Sequence, residues 1–187
     1  MPPHQPLRLV TPRLVLRELR MEDWPEALLA ERDPEVARYQ SNEVLDEAGA
    51  KAYLEKALRS LEETPRVTFE LAITLPSDDR YLGRVGLRIE RPEHREAPVW
   101  FALRRECWGR GYASEALRGL LDFGFGTLGL HRAWGDCDPR NVRSARVMEK
   151  VGMRREGHLR ENWWLKGEWC DSHIYGVLEH EWRAIGS

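Results

Sequence analysis

The stretch CWGRGYASEAL, residues 107–117, sets two glycines one residue apart between a strand-like run and a helix-like one. Glycine adopts backbone angles that side chains resist and lets another molecule approach the main chain closely. A helix start leaves backbone N–H groups without intrahelical partners and carries partial positive charge. Successive amides in such a turn form a concave anion site, and a pyrophosphate fits that chemistry. The same stretch also reads as an ordinary turn before a core helix, so its surroundings decide.

Upstream, residues 97–105 (APVWFALRR) read as a strand. Downstream, Ala113, Ala116, Leu117, Leu120, Leu121 and Leu128 recur at helical spacing, with Glu115, Arg118 and Asp122 turned away. Gly124, Gly126 and Gly129 read as the end of that helix. Before it come a strand over 13–19, a helix over 21–32 with Asp23 as cap and Pro25 in its first turn, and a short helical piece through Tyr39. A clearer helix over 46–63 and a hairpin of strands, 67–75 and 81–90, follow. After it come a short strand over 131–137, a helix capped by Asn141 and stopped at Gly152, and a last hairpin around Lys166–Gly167. This order predicts a mixed α/β sheet, with strand-helix-strand units only in the second half.

The chain has 187 residues and a formal net charge of −2, enough for a core and without the charge excess of a nucleic-acid or membrane binder. No run approaches the ~20 apolar residues of a membrane span. The start, MPPHQPLRLV, has no signal-peptide pattern. Cys107, Cys137 and Cys170 are odd in number and far apart, which argues against a disulfide framework and makes the cytoplasm the default compartment. A single domain over 1–187, with a core of about 8–180, is expected.

Taken together, CWGRGYASEAL and NVRSARVMEKVGM (141–153) resemble the acetyl-CoA signature and the following Asn-initiated helix of the GNAT N-acetyltransferase superfamily. TPRLVLRELRMED (11–23) and EGHLRENWWLKGEWCDSHIYG (156–176) are similar to the branch of the ribosomal-protein alanine acetyltransferases. The resemblance implies a central twisted, mostly antiparallel sheet with a splayed strand pair and helices on both faces. It implies acetyl-CoA as cosubstrate, with amides of Trp108, Gly109, Arg110, Gly111, Tyr112 and Ala113 on the pyrophosphate. The edge of Phe101, Ala102 and Leu103 would pair with pantetheine amides, and Asn141 would touch the cofactor arm. Arg105 or Arg110 would meet the 3′-phosphate or stay solvated.

Two departures matter. Glu106 stands where the signature has Gln or Arg, and Met148 stands where many members carry a proton-donating Tyr. Ser144, one turn earlier, is the substitute donor or a helix-start residue bonding its own backbone. An oxyanion donor is expected near Leu103. Glu161 is the candidate base, or a surface glutamate. His158 and His173 meet across the last hairpin, but two histidines make a poor metal site, so no metal is expected. The function implied is acetyl transfer from acetyl-CoA to a primary amine, foremost an α-amine of a protein N-terminus or amino acid, by direct attack on the thioester. Polyamine or antibiotic amines, and a catalytically silent acyl-CoA-binding module, are the alternatives. A monomer and a homodimer both remain open. The acceptor segments, about 33–50 and 160–170, carry no readable code.

Overall fold

The computed structural model describes residues 6–40 and 46–185. Residues 41–45 of the expected acceptor segment, and residues 1–5 of the expected domain and its leader-free start, lie outside them, as do 186–187. The elements run β1 (Arg8–Val10), β2 (Val15–Glu18), α1 (Trp24–Arg32), α2 (Pro34–Ala37), α3 (Glu47–Arg59), β3 (Thr68–Thr74), β4 (Tyr81–Arg88) and β5 (Glu96–Leu103). They continue through α4 (Tyr112–Gly126), β6 (Arg132–Cys137), α5 (Val142–Lys150), β7 (Arg154–Leu165), β8 (Glu168–Leu178) and α6 (Glu179–Ile185). The described strands form one sheet in the order β1-β2-β3-β4-β5-β6-β8-β7. Every neighbouring pair is antiparallel except β5 and β6. No helix among the described residues is long and apolar enough to cross a membrane.

Strand alternation divides the core between the two faces. Phe69, Leu71 and Ile73 of β3 join the large cluster under α4, whose Leu117, Leu120 and Leu121 are fully buried. Each such leucine contributes about 1.5–3 kcal/mol. Ala72 of β3 turns to the other face and meets Ala27 of α1 and Leu54 of α3. Helices therefore cover both faces.

The sequence reading missed β1 and α6, both short and terminal, and these two elements change the reading of α4. Glu115, Arg118 and Asp122 do not face solvent freely. Glu115 accepts hydrogen bonds from Thr11 Oγ1 and the Arg13 N–H, each at 2.7 Å. Asp122 accepts from Trp182 Nε1 at 3.0 Å, and Arg118 lies over the Trp182 ring. Gly126 is the last residue of α4, as expected, and Gly124 lies inside the helix. A Cβ on Gly124 would come within 3.0 Å of Leu130, so that glycine lets the chain after the helix fold back against it.

Asp23 is not the side-chain cap expected for α1. Its carboxylate instead binds the buried Arg17 guanidinium through two 2.8 Å hydrogen bonds and accepts the Arg20 N–H at 2.8 Å. Arg17 reaches Asp79 as well, at 2.9 Å. Asp23→Ala leaves the buried Arg17 only the half-exposed Asp79, so it is expected to lower the unfolding free energy by up to about 3–5 kcal/mol. Urea denaturation monitored by tryptophan fluorescence measures it, and a loss below about 1 kcal/mol contradicts the assignment of this pair.

Candidate active site

The site originates where β5 changes partners. Residues 99–103 of β5 pair with β4, whereas only Glu96, Ala97 and Pro98 pair with β6, opposite Arg132, Ala133 and Trp134. Beyond Pro98 the two strands part. The Arg104 N–H bonds the Leu82 carbonyl of β4 at 2.8 Å. Alternation along an antiparallel pair therefore turns the amide edges of Phe101 and Leu103 away from β4 and into the gap. The Leu103 carbonyl accepts the Trp108 indole N–H at 2.9 Å.

The gap opens a groove of about 610 Å³. At one end the chain turns from Leu103 into α4. Gly109 and Gly111 both take positive φ, +74° and +79°, and Gly111 is the residue preceding α4. A side chain at either position would be strained, so the turn that directs the α4 amides into the groove depends on glycine. Arg13 braces it, donating to the Arg110 carbonyl at 3.0 Å while its Nε binds Glu115 at 2.7 Å. Burial opposes ionisation of Glu115, but bonds from Thr11 and Arg13 outweigh it and hold the carboxyl below its usual range. Arg143 of α5 stacks over Trp108 and, with Arg146, makes this end cationic.

Of the residues singled out in the sequence, Phe101, Ala102, Leu103, Trp108, Gly109, Gly111, Tyr112, Ala113, Asn141 and Ser144 line this one groove. Asn141 spends its Oδ1 capping α5, accepting the Ser144 N–H at 3.2 Å. Met148 is almost fully buried at the groove wall. Arg110 turns its carbonyl to Arg13, and Arg105 stands 3.9 Å from Asp33. The fold does not bring Glu161 to the groove lining. It sits at positive φ in a bulge of β7, with its N–H bonded to Asp171 at 2.8 Å, and the bulge presents Trp163 to the groove instead. His158 and His173 do meet, with ring centroids 5.0 Å apart. His158 is engaged by Asp171 at 2.6 Å.

The groove also holds residues that the sequence reading passed over. Asp136 on β6 is one. Ala133, Gly135 and Cys137 are buried toward the core, so alternation sends Asp136 to the opposite face, into the groove. Solvent reaches it from within the groove, yet crowding by the walls raises its carboxyl above the ordinary range. The Ser172 hydroxyl donates to it at 3.4 Å, which opposes that rise. By contrast Asp138 is bound by Arg140, and Asp171 by the Glu161 N–H and then by His158, and both carboxyls are held below their usual range. Tyr39, Trp100 and Trp163 add aromatic wall on the side of α2 and the β7–β8 hairpin. Cys107, Cys137 and Cys170 also border the groove, and all three are free and buried. Burial pushes Cys137 up to about 12.

A cationic, amide-lined end, an unpaired strand edge in the middle and a protonatable carboxylate at the splay suit a ligand with a polyanionic tail and an acyl carrier arm. Residues 13–154 match the family described as "Acetyltransferase (GNAT) domain". The chain belongs to the GNAT acetyltransferase family. It is an acetyl-CoA-dependent N-acetyltransferase. It is 32% identical over 177 residues to the "Uncharacterized N-acetyltransferase YnaD" of Bacillus subtilis, covering 95% of this chain and 100% of that one. The structure of a GNAT-family acetyltransferase from Bacillus anthracis superposes with a TM-score of 0.83 at 28% identity, covering 93% and 99% of the two chains. Mycobacterium smegmatis RimJ, solved in complex with CoA-disulfide, has the same fold, with a TM-score of 0.79 at 22% identity over 97% and 94%.

The raised carboxyl of this acetyltransferase is open to direct measurement. Carbon-detected NMR titration is expected to find Asp136 protonating above the ~3.9 of an unperturbed aspartate. Ser172→Ala removes the hydroxyl that favours the ionised form and is expected to raise the Asp136 midpoint further, and a fall would contradict the geometry.

Proposed function

We propose that the enzyme transfers acetyl to an α-amine, of a protein N-terminus or an amino acid, by direct attack on the thioester. The observation that carries this reading is Asp136, a carboxylate at the splay that no ion pair among the described residues occupies and whose pKa the groove raises. In this reading the amides of 108–113, with Arg143 and Arg146 beside them, bind the phosphates. The Phe101 and Leu103 edge receives the arm as an added strand would. The Leu103 N–H faces the developing oxyanion, where a pre-oriented donor is most useful. Asp136 takes the proton of the incoming ammonium, directly or through one water. Ser144, at the groove wall on α5, gives a proton to the leaving thiolate, since Met148 has none to give. Glu161, outside the groove lining, has no part in the transfer.

Two features favour direct attack and an α-amine. The core-facing Cys137 thiol, raised to about 12, is not ionised at neutral pH and offers no covalent relay. A carboxylate is a modest base. An α-amine, with pKa near 8, is neutral at pH 7 about 10²-fold more often than a lysine amine with pKa near 10.4. The expected result is a higher kcat/KM for a lysine-blocked peptide with a free N-terminus than for an N-blocked, lysine-containing one. Asp136→Asn is expected to lower kcat/KM most near pH 7, with the loss shrinking toward pH 9, where the amine deprotonates unaided. Preference for the lysine peptide, or for spermidine over both, would overturn the α-amine assignment.

The phosphate turn is tested separately. Gly111→Val places a branched side chain at φ +79°, where it is strained, and beside the amides. The acetyl-CoA dissociation constant is expected to rise at least about tenfold in calorimetry. Unchanged affinity in a folded variant would remove the turn from the binding site.

A further inference from the structure

Three donors converge on one buried carboxylate oxygen beneath the groove. Glu70 Oε1, on β3, accepts the Trp100 indole N–H at 3.0 Å, the Tyr53 hydroxyl, and Arg84 Nη1 at 3.2 Å. Arg84 also donates to Tyr53 Oη, and its Nη2 binds Glu31 of α1 at 2.8 Å. Arg84 is 7% exposed. Well-packed apolar residues commonly replace such buried ions with no loss of stability, so stability alone is a weak reason for the cluster. What the cluster does fix is the edge of the indole.

The ring face is fixed from the other side. Gly86 pairs with Trp100 across β4 and β5, and a Cβ there would stand 2.5 Å from two ring carbons. The indole therefore lies against a glycine, where a side chain would displace it, while its N–H is held by Glu70. Trp100 is nevertheless only half-buried and lines the groove. It sits two residues beyond the last β5–β6 pair, Pro98 with Trp134, and Asp136 sits two residues beyond on the partner strand. By register the pinned ring and the free carboxylate are on facing walls of the splay.

We propose that Trp100 is the specificity-determining wall of the acceptor subsite, against which the carbon skeleton next to the reacting amine packs, and that Glu70 and Arg84 are positioning residues for its indole. This rests on the amine-acceptor reading above. The acceptor chemistry it fits is a primary amine whose neighbouring carbon carries an aliphatic substituent, because a fixed aromatic face offers apolar contact and little hydrogen bonding. The pinned ring cannot retreat to admit a larger group, so the subsite has a defined size.

The test uses the full chain and lysine-blocked peptides that begin with Gly, Ala or Leu. Two substitutions move the wall in opposite directions. Trp100→Ala removes it, and Gly86→Ala pushes the ring into the groove. Trp100→Ala is expected to raise the acceptor KM at least about tenfold while the acetyl-CoA dissociation constant stays within about twofold. The Leu-to-Gly ratio of kcat/KM is expected to rise in Trp100→Ala and to fall at least about threefold in Gly86→Ala. Trp100→Phe, which keeps the ring and loses the N–H, covers the case in which the alanine variant does not fold, and is expected to raise the acceptor KM about threefold with the selectivity order kept. Ratios unchanged within about twofold in folded Trp100→Ala and Gly86→Ala, an acceptor KM unchanged in Trp100→Phe, or an acetyl-CoA constant that rises in parallel with KM, overturns the assignment. A wild-type enzyme that binds acetyl-CoA yet acetylates no peptide or small amine overturns the functional reading itself, whereas turnover indifferent to Trp100 and Gly86 overturns only this inference.

Discussion

The parting of β5 from β6 is the constraint on which the site depends. A buried backbone amide must be paired, and a strand edge that leaves its neighbour while still inside the sheet has to find another partner. Here β5 keeps β4 on one side along residues 99–103 and gives up β6 after Pro98. The exposed edge faces a groove rather than open solvent, because α4, α5 and the β7–β8 hairpin wall the gap. The sheet thus holds a ready-made place for an extended amide-bearing arm. Its rigidity comes from the strands on either side, which remain paired.

Charge then gives the groove a direction. The α4 end combines unpaired amides with Arg143 and Arg146, while the β6 and β8 walls carry Asp136, Asp138 and Asp171. Only the last two of these carboxylates are held by close donors, Asp138 by Arg140 and Asp171 by the Glu161 N–H and His158. Their pKa values fall and that of Asp136 rises, so neighbouring acids of one kind are sorted by their partners. A group tuned upward beside groups tuned downward is the arrangement expected where a proton has to move.

The opposite face of the sheet carries a second investment of buried charge. Arg17 with Asp23, and Arg84 with Glu31 and Glu70, lie within the layer under α1 and α3. These pairs tie the N-terminal helices to β2, β3 and β4, which carry little of the large core on that face. The same helices lead into α2 and Tyr39, so the layer also sets where that part of the groove wall stands.

Much of the fold was legible in the sequence, since periodicity is written locally. The amphipathic run of α4, the Asn141 cap, the alternating strands and the two glycines before α4 each show in a window of a dozen residues. The glycine turn and the Asn-initiated helix together pointed to the family before any contact was known. Elements of a few residues at the termini, β1 and α6, carry too short a pattern to stand out, and with α6 went Trp182, the partner of Asp122. Alternation in β6 was sufficient to turn Asp136 away from the core, but not to indicate that a groove lay on that side. The bulge that withdraws Glu161 and presents Trp163 arises from a register shift against β8, which no local pattern encodes. The local chain determined which segments are helix, strand and phosphate-type turn. Only the tertiary structure decided which carboxylate stands free at the splay and which indole is pinned opposite it, because both depend on strands far apart in sequence meeting in one register.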